Sequence, residues 1–436
     1  VGPMEDFTPL GSEDRAILDL ECRTIAGHTC KVVRFAPGPG ARVDAARLRE
    51  RIAERIELAP ALTRRLGGSA NAPSWVPDPS FDIADHVVAA EVEEPLDHTG
   101  LLALVAELFE QRLDRSRPLW RIDTVAMSDG GSALIWRIHH SLADGTASVR
   151  YARALLWDEA PEASMTRAQA HAAHAADEAR RRAHLAGFLH REYSRGACRS
   201  PFDGTVGTRR EIAFAVTPLQ ALHDAARELD GATVNDAVLT IVAGAVGRWV
   251  AERHGELGTI RLRVPVSMHH EGDEVANHDS FFSVLVPLNE PDPVARLRIT
   301  HAETRERKLD HDAHYHEQFV RELAGVPPLE HFVARIERNP RRFALSVSNV
   351  PGPPQPVSVL GAPVLRLHSI AEIGERHALR VSATSLAGVL CFALCSDPEL
   401  VDGLALIAEG IEAEAHDLLS AAGVVDQARV GYEATL

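Results

Sequence analysis

Two adjacent imidazoles, His139 and His140, followed closely by a carboxylate and a glycine, Asp144 and Gly145, are the residues of this chain best suited to chemistry. An imidazole has an ordinary pKa of about 6.5 and burial lowers it, so a desolvated His140 stays neutral near pH 7 with a free lone pair. That is a general base, worth roughly 10²–10⁴ in rate when aimed at the proton of a poor nucleophile such as an alcohol. Asp144 can orient an imidazole, or bond an arginine and backbone groups to hold the corner in shape. Gly145 allows a backbone turn that a side chain forbids. The plainer reading makes the histidines ordinary half-buried residues and Asp144 a helix N-cap. A metal held by His139, His140 and Asp144 would need further ligands, which the spacing does not supply.

The elements around these residues place them. Ser132–Ile138 follows an Asp129-Gly130-Gly131 turn and is rich in β-branched and aromatic types, so it predicts a strand leaving a hairpin. Alternation puts His140 on the face of Leu134, Trp136 and Ile138, and His139 on that of Ala133, Ile135 and Arg137. Asp144-Gly145 then exits into a helix over Thr146–Trp157.

The segment from His139 to Gly145 resembles the HHxxxDG motif of the CoA-dependent acyltransferase superfamily. That superfamily takes in chloramphenicol acetyltransferase, plant hydroxyl acyltransferases, peptide-synthetase condensation domains and bacterial wax ester synthase/diacylglycerol acyltransferases. Three further segments are similar to the last group: Pro118-Leu119-Trp120 to its "PLW", Asn235-Asp236 to its "ND" helix, and Ser348-Asn349-Val350-Pro351-Gly352-Pro353 to its "SNVPGP". Phe81–Val87 and Val264–Ser267 resemble its "FDLxxHV" and "VPVS" segments. The chain departs from the pattern at Ala276-Asn277, where the family shows Gly-Asn, and at Gly27-His28-Thr29-Cys30, an altered "MHVG" strand.

The resemblance implies an α/β fold of two chloramphenicol-acetyltransferase-like domains, mixed sheets flanked by helices, with a tunnel at their interface. It implies an O-acyltransferase using acyl-CoA as a substrate, with no cofactor, and diacylglycerol or a fatty alcohol as acceptor. His140 would be the base, with His139, Asp144 and Gly145 beside it. Asn235 is the candidate oxyanion donor with Asp236 next to it, or equally packing glue between the halves. Pro118, Leu119, Trp120, Ser348, Asn349 and Pro351 are expected to be structural. A carrier-protein-bound acyl donor and a catalytically idle lipid-binding protein are the alternatives.

A chain of 436 residues exceeds one ordinary core. The expected division is residues 4–160 with the motif, a helical linker at 161–200, and 201–436. In the linker, His171, His174, His184 and His190 read as solvated helix surface rather than metal ligands. Apolar residues make up 45% and charged residues 25%, as in a soluble globular protein. The net charge of −16 opposes nucleic acid and polybasic membrane anchoring. Lys31 and Lys308 are the only lysines. Five cysteines without CxxC spacing suggest reduced thiols in a cytosol. With no GxSxG elbow, a covalent nucleophile is not expected. Val1-Gly2-Pro3 ahead of Met4 reads as a cloning remnant, no secretory leader is expected, and the apolar run Ala237–Gly247 falls short of a membrane span of ~18 residues. The expectation is a cytoplasmic protein, peripheral at most to a membrane or lipid droplet.

The rest of the chain reads as helices over Ser12–Leu20, Val43–Leu58, Leu101–Leu113, Pro218–Leu229, Val234–Arg253, Pro293–Arg307 and Pro398–Leu419. Strands are predicted over Thr29–Phe35, Arg121–Val125, Arg210–Val216, Ile260–Ser267, Phe281–Leu288, Phe343–Val350, Leu379–Thr384 and Val389–Cys395.

Overall fold

The computed structural model describes residues 7–38, 42–69, 72–159, 200–267, 279–309 and 342–424. The expected linker, its histidines and Ala276-Asn277 lie outside the described residues. In the first half the strands are β1 (Thr8–Pro9), β2 (His28–Phe35), β3 (Arg64–Ser69), β4 (Ala72–Pro77), β5 (Val87–Ala89), β6 (Trp120–Ala126) and β7 (Ser132–His139). In the second they are β8 (Glu211–Pro218), β9 (Thr259–Ser267), β10 (Asp279–Pro287), β11 (Leu345–Val350), β12 (Ser358–Val359), β13 (Ala362–Ile370), β14 (Leu379–Leu386) and β15 (Val389–Ser396).

These strands build two six-stranded mixed sheets, β12-β13-β2-β7-β6-β5 and β10-β9-β11-β14-β15-β8, and a small sheet β1-β4-β3. The division at residue 201 therefore needs correction. β12 and β13 belong in sequence to the second half, yet β13 pairs antiparallel with β2, extending the first sheet. The halves share a sheet because β2 would otherwise offer an open edge of unpaired backbone groups.

Both faces of the first sheet are covered, so β7 is buried along its whole length. Leu134, Trp136 and Ile138 pack with helix Ala45–Arg55 through Leu48 and Ile52, and with helix Gly145–Leu155 through Ala147, Ala152 and Leu155. Ala133 and Ile135 face the opposite way, toward Leu101, Val105 and Phe109 of helix His98–Glu110. The predicted alternation thus sorts the residues correctly, while burial does not tell the faces apart.

Several predicted bounds shift for local reasons. Asp44, not Val43, opens the second helix by accepting from Arg47 N, and Ala45, Leu48 and Ile52 are its buried residues. Residues Ile83–His86 form one helical turn capped by Asp82. The last described helix starts at Leu404, after Gly403 in a left-handed conformation (φ 68°), instead of at Pro398. β3, β12 and β13 carry no clear period of two and were not expected.

Helix Val234–His254 is apolar all round. With a hydropathy of 1.3 it is long and apolar enough to cross a membrane, contrary to the expected shortfall, and 78% of that stretch is buried in the fold. Helices Leu219–Glu228, Pro293–Leu309 and Leu404–Ala421 pack against it.

Candidate active site

β7 delivers the two imidazoles to a corner pinned from both sides. His139 N donates to Leu119 O (2.9 Å), and His140 N donates to Gly27 O (2.9 Å). The Pro118-Leu119-Trp120 segment thus clasps the strand that carries the motif. Trp120 is fixed by its Nε1 donating to Leu62 O (2.7 Å), and His86 stacks on its ring while donating from Nδ1 to Trp120 O (2.7 Å).

His139 points away from the cleft. Its Nδ1 accepts from Ser141 Oγ (2.7 Å) and Ser141 N (3.2 Å), which leaves the ring proton on Nε2. That nitrogen lies 3.5 Å from Glu21 Oε2, a charge contact rather than a good hydrogen bond. Burial raises the Glu21 carboxyl, but the contact with His139 and the bonds and charge of Arg115 outweigh it and hold the carboxyl below its usual range. Gly27 completes this enclosure. Its φ is 77°, and a Cβ there would sit 2.5 Å from His139 Nε2. Gly27 N donates to Glu372 Oε2 (2.8 Å), and Arg210 Nη2 reaches Glu372 Oε1 at 3.3 Å, so the second half grips the backbone beneath the motif.

His140 turns the other way. It is half-buried, and its Nδ1 is enclosed without a hydrogen-bond partner. Burial first, and then the positive charge of Arg380 on β14, pull its pKa down to about 4, against the opposing pull of Asp144. The ring is therefore neutral at pH 7.

Asp144 is fully buried and caps helix Gly145–Leu155, Oδ1 accepting from Ala147 N at 2.6 Å. The plainer reading of Asp144 thus coexists with its electrostatic effect on His140. Arg380 is the arginine that the fold brings to this corner. Gly145 is not explained by an unusual backbone turn; a Cβ there would lie 3.2 Å from Val350 Cγ2, so the glycine lets the "SNVPGP" strand β11 approach the motif. In β11, Ser348, Asn349 and Val350 pair with Ser382, Ala383 and Thr384, and Gly352 N donates to Ser385 Oγ (3.0 Å) just beyond exposed Pro351.

Between the halves, next to Gly145, is a cavity of about 20 Å³ lined among others by Lys31, Trp136, Ser148, Val350, Leu367 and Ser369. It has room for about one water, far less than a tunnel for a long acyl chain. A larger hollow of about 360 Å³ lies by the Pro118-Leu119-Trp120 segment. Its guanidiniums are already paired: Arg112 with Glu21, Arg117 with Asp85, and Arg121 and Arg137 with Asp123. The cavity beside Gly145, with apolar walls and next to the motif that carries the neutral His140, is the better place for an ester-forming reaction.

The fold does not bring Asn235 and Asp236 into this set by any described contact. Asp236 forms a capping box with Thr233 and accepts from Thr304 Oγ1 (2.6 Å) and His301 Nδ1 (2.8 Å). Asn235 sits in the first turn of that helix, and its proposed oxyanion role has no geometric support.

Sequence reasoning missed Glu21, Gly27, Lys31, Glu372 and Arg380. Two of them left a signal: Gly27 in the altered "MHVG" strand, and Lys31 as a lone lysine in β2.

Two domain models of one family match this chain, the wax ester synthase/diacylglycerol acyltransferase catalytic domain over residues 10–195 and the C-terminal domain over residues 275–418. The chain belongs to the wax ester synthase/diacylglycerol acyltransferase family. As a member it is an acyltransferase, with an acyl donor and an acceptor lipid as substrates. It is 28% identical over 380 residues to a probable diacylglycerol O-acyltransferase of Mycobacterium tuberculosis, covering 78% of this chain and 80% of that one. A second from the same organism is 27% identical over 455 residues, covering 94% and 98%. Among solved structures, the wax ester synthase/diacylglycerol acyltransferase of Marinobacter aquaeolei superposes with a TM-score of 0.72 at 23% identity, covering 95% of this chain and 100% of that one. The first condensation domain of the calcium-dependent antibiotic synthetase gives 0.62 at 16% identity, covering 97% of each, which shows a shared fold.

Proposed function

We propose that the protein esterifies diacylglycerol, and long-chain fatty alcohols where present, by direct transfer from acyl-CoA with His140 as the general base. The observation that carries this is the neutral, half-buried His140 at a corner built by both halves, in the motif whose Gly145 borders an apolar cavity. Its nitrogen removes the hydroxyl proton as the oxygen attacks the thioester carbonyl and a C–O bond forms. The tetrahedral intermediate then collapses, the C–S bond breaks, and the imidazolium returns the proton to the departing thiolate.

A base with a pKa near 4 is weak before the reaction. Negative charge building on the substrate oxygen raises its affinity for the proton, because an opposite charge within about 4–6 Å favours the charged imidazolium. No acyl-enzyme is needed: buried Cys30, Cys391 and Cys395 have thiols pushed up to about 12, 11 and 12, far from the reactive thiolate.

A cytoplasmic enzyme that takes an insoluble acceptor would meet it at a membrane or droplet surface. The test is purified protein with labelled long-chain acyl-CoA and, separately, diacylglycerol, hexadecanol or water. Ester formation from acyl-CoA supports the reading; activity only with a carrier-bound acyl group replaces the donor. His140→Ala is expected to lower kcat by roughly 10²–10⁴, and full ester formation by that variant removes the base.

A further inference from the structure

Lys31 is one of two lysines in the chain, and it is buried. Its place in β2 follows from pairing: Lys31 stands opposite Trp136 on β7 and Ser369 on β13, so all three share the face that lines the corner cavity. Its Nζ donates to Ser369 Oγ at 2.6 Å. An ammonium has three donors, and among the described residues Ser369 is the one acceptor assigned to it. The remaining two have no described acceptor, and the side chain that carries them lines the cavity beside Gly145 of the motif. Nothing in the proposed chemistry so far receives the negative charge of the tetrahedral intermediate, since no described contact brings Asn235, the expected donor, to the corner.

We propose that Lys31 is a second catalytic residue of this site, its Nζ donating to the carbonyl oxygen of the acyl donor as that oxygen becomes anionic. The proposal rests on the reading of His140 as base. A cation in an apolar enclosure stabilises developing charge far more than one in water. It also explains why a costly buried ammonium is kept, held by one hydroxyl rather than by a close carboxylate.

The groups facing Lys31 define its pH behaviour. Asp144 at the corner favours the charged ammonium, while Arg380 on β14 opposes it. Ser369 on β13 is uncharged, Cys30 beside it stays a thiol, and His140 is neutral at pH 7. Burial dominates and lowers the Lys31 pKa to about 8. The cation is present below that value and is lost as pH rises through it, so kcat of the wild type should fall on the alkaline side.

The experiment is the pH profile of kcat and KM for triacylglycerol formation from acyl-CoA and diacylglycerol, in wild type, Lys31→Met, Ser369→Ala and His140→Ala. Lys31→Met should lower kcat ~10²-fold, as loss of an oxyanion donor does, with KM little changed and the alkaline limb gone. Its acid limb should move to higher pH, because a positive neighbour of His140 has been removed. Ser369→Ala keeps the lysine but removes an acceptor of its charged form, so its alkaline limb should move to lower pH. A Lys31→Met kcat near that of wild type, an alkaline limb that survives in it, or an unmoved limb in Ser369→Ala overturns the proposal. Lost activity accompanied by a lower melting temperature and an unchanged limb overturns it as well, since that is a packing role. Inactive His140→Ala beside unaffected Lys31→Met sinks only the lysine; active His140→Ala sinks the base.

Discussion

Gly27 shows how one missing side chain can shape a catalytic corner. Its left-handed backbone and the His139 ring over its Cα leave no room for a methyl group. Gly27→Ala should cost ~1–3 kcal/mol from backbone strain alone and displace the ring of His139 as well. The expected outcome is a lower melting temperature by thermal shift together with reduced kcat, and a variant with wild-type values for both would show that the corner tolerates displacement. The bond that ties Gly27 to Glu372 spans 345 positions. No local pattern announces such a partner, which is why the HHxxxDG letters were legible and the residues that brace them were not. Lys31 and Arg380 escaped for the same reason: their meaning comes from strands that meet only in the folded sheet.

At the scale of elements, the start of helix Val234–His254 was readable, whereas the starts capped by Asp44 and Asp97 were displaced by one to three residues. Thr233 caps helix Val234–His254, its side chain accepting from Asp236 N, and a threonine directly before an apolar run marks such a start. The function attached to the next residues was less readable, because an Asn-Asp pair in a first turn suits an anion site and a capping box equally well. Burial raises the Asp236 carboxyl, but bonds from Thr304, Thr233 N and His301 outweigh it and keep the pKa below its ordinary value. Its stabilising contribution is therefore present above the unfolded carboxylate pKa of about 3.9 and is lost as pH falls through the lower folded value. Asp236→Ala should lower stability by ~1–3 kcal/mol for each buried donor left unpaired. Denaturation at pH 7 and pH 3 checks this: the variant should lose less stability on acidification than wild type, while kcat per folded molecule at pH 7 stays close to wild type. A large kcat loss without destabilisation would return this residue to the active site.

β13 is the element that most changes the picture of the whole molecule. Its register shifts between Val364 and Arg366, which breaks the alternation that would have marked it as a strand. By crossing into the first sheet it makes the two halves one folding problem, and it supplies Leu367 and Ser369 to the cavity. A fragment of residues 4–200 should therefore be poorly soluble or molten by near-ultraviolet circular dichroism, and should gain fixed structure when co-expressed with 201–436. A well-folded, monomeric fragment on its own would show that the β2 edge does not need its partner.

Helix Val234–His254 leaves the ribosome as a greasy rod, and the helix Leu404–Ala421 that later covers it follows about 150 residues behind. At ~5–20 residues per second that is roughly 8 to 30 seconds of synthesis. Until then a segment with the length and hydropathy of a membrane span has only Leu219–Glu228, and later Pro293–Leu309, of its three covering helices to pack against.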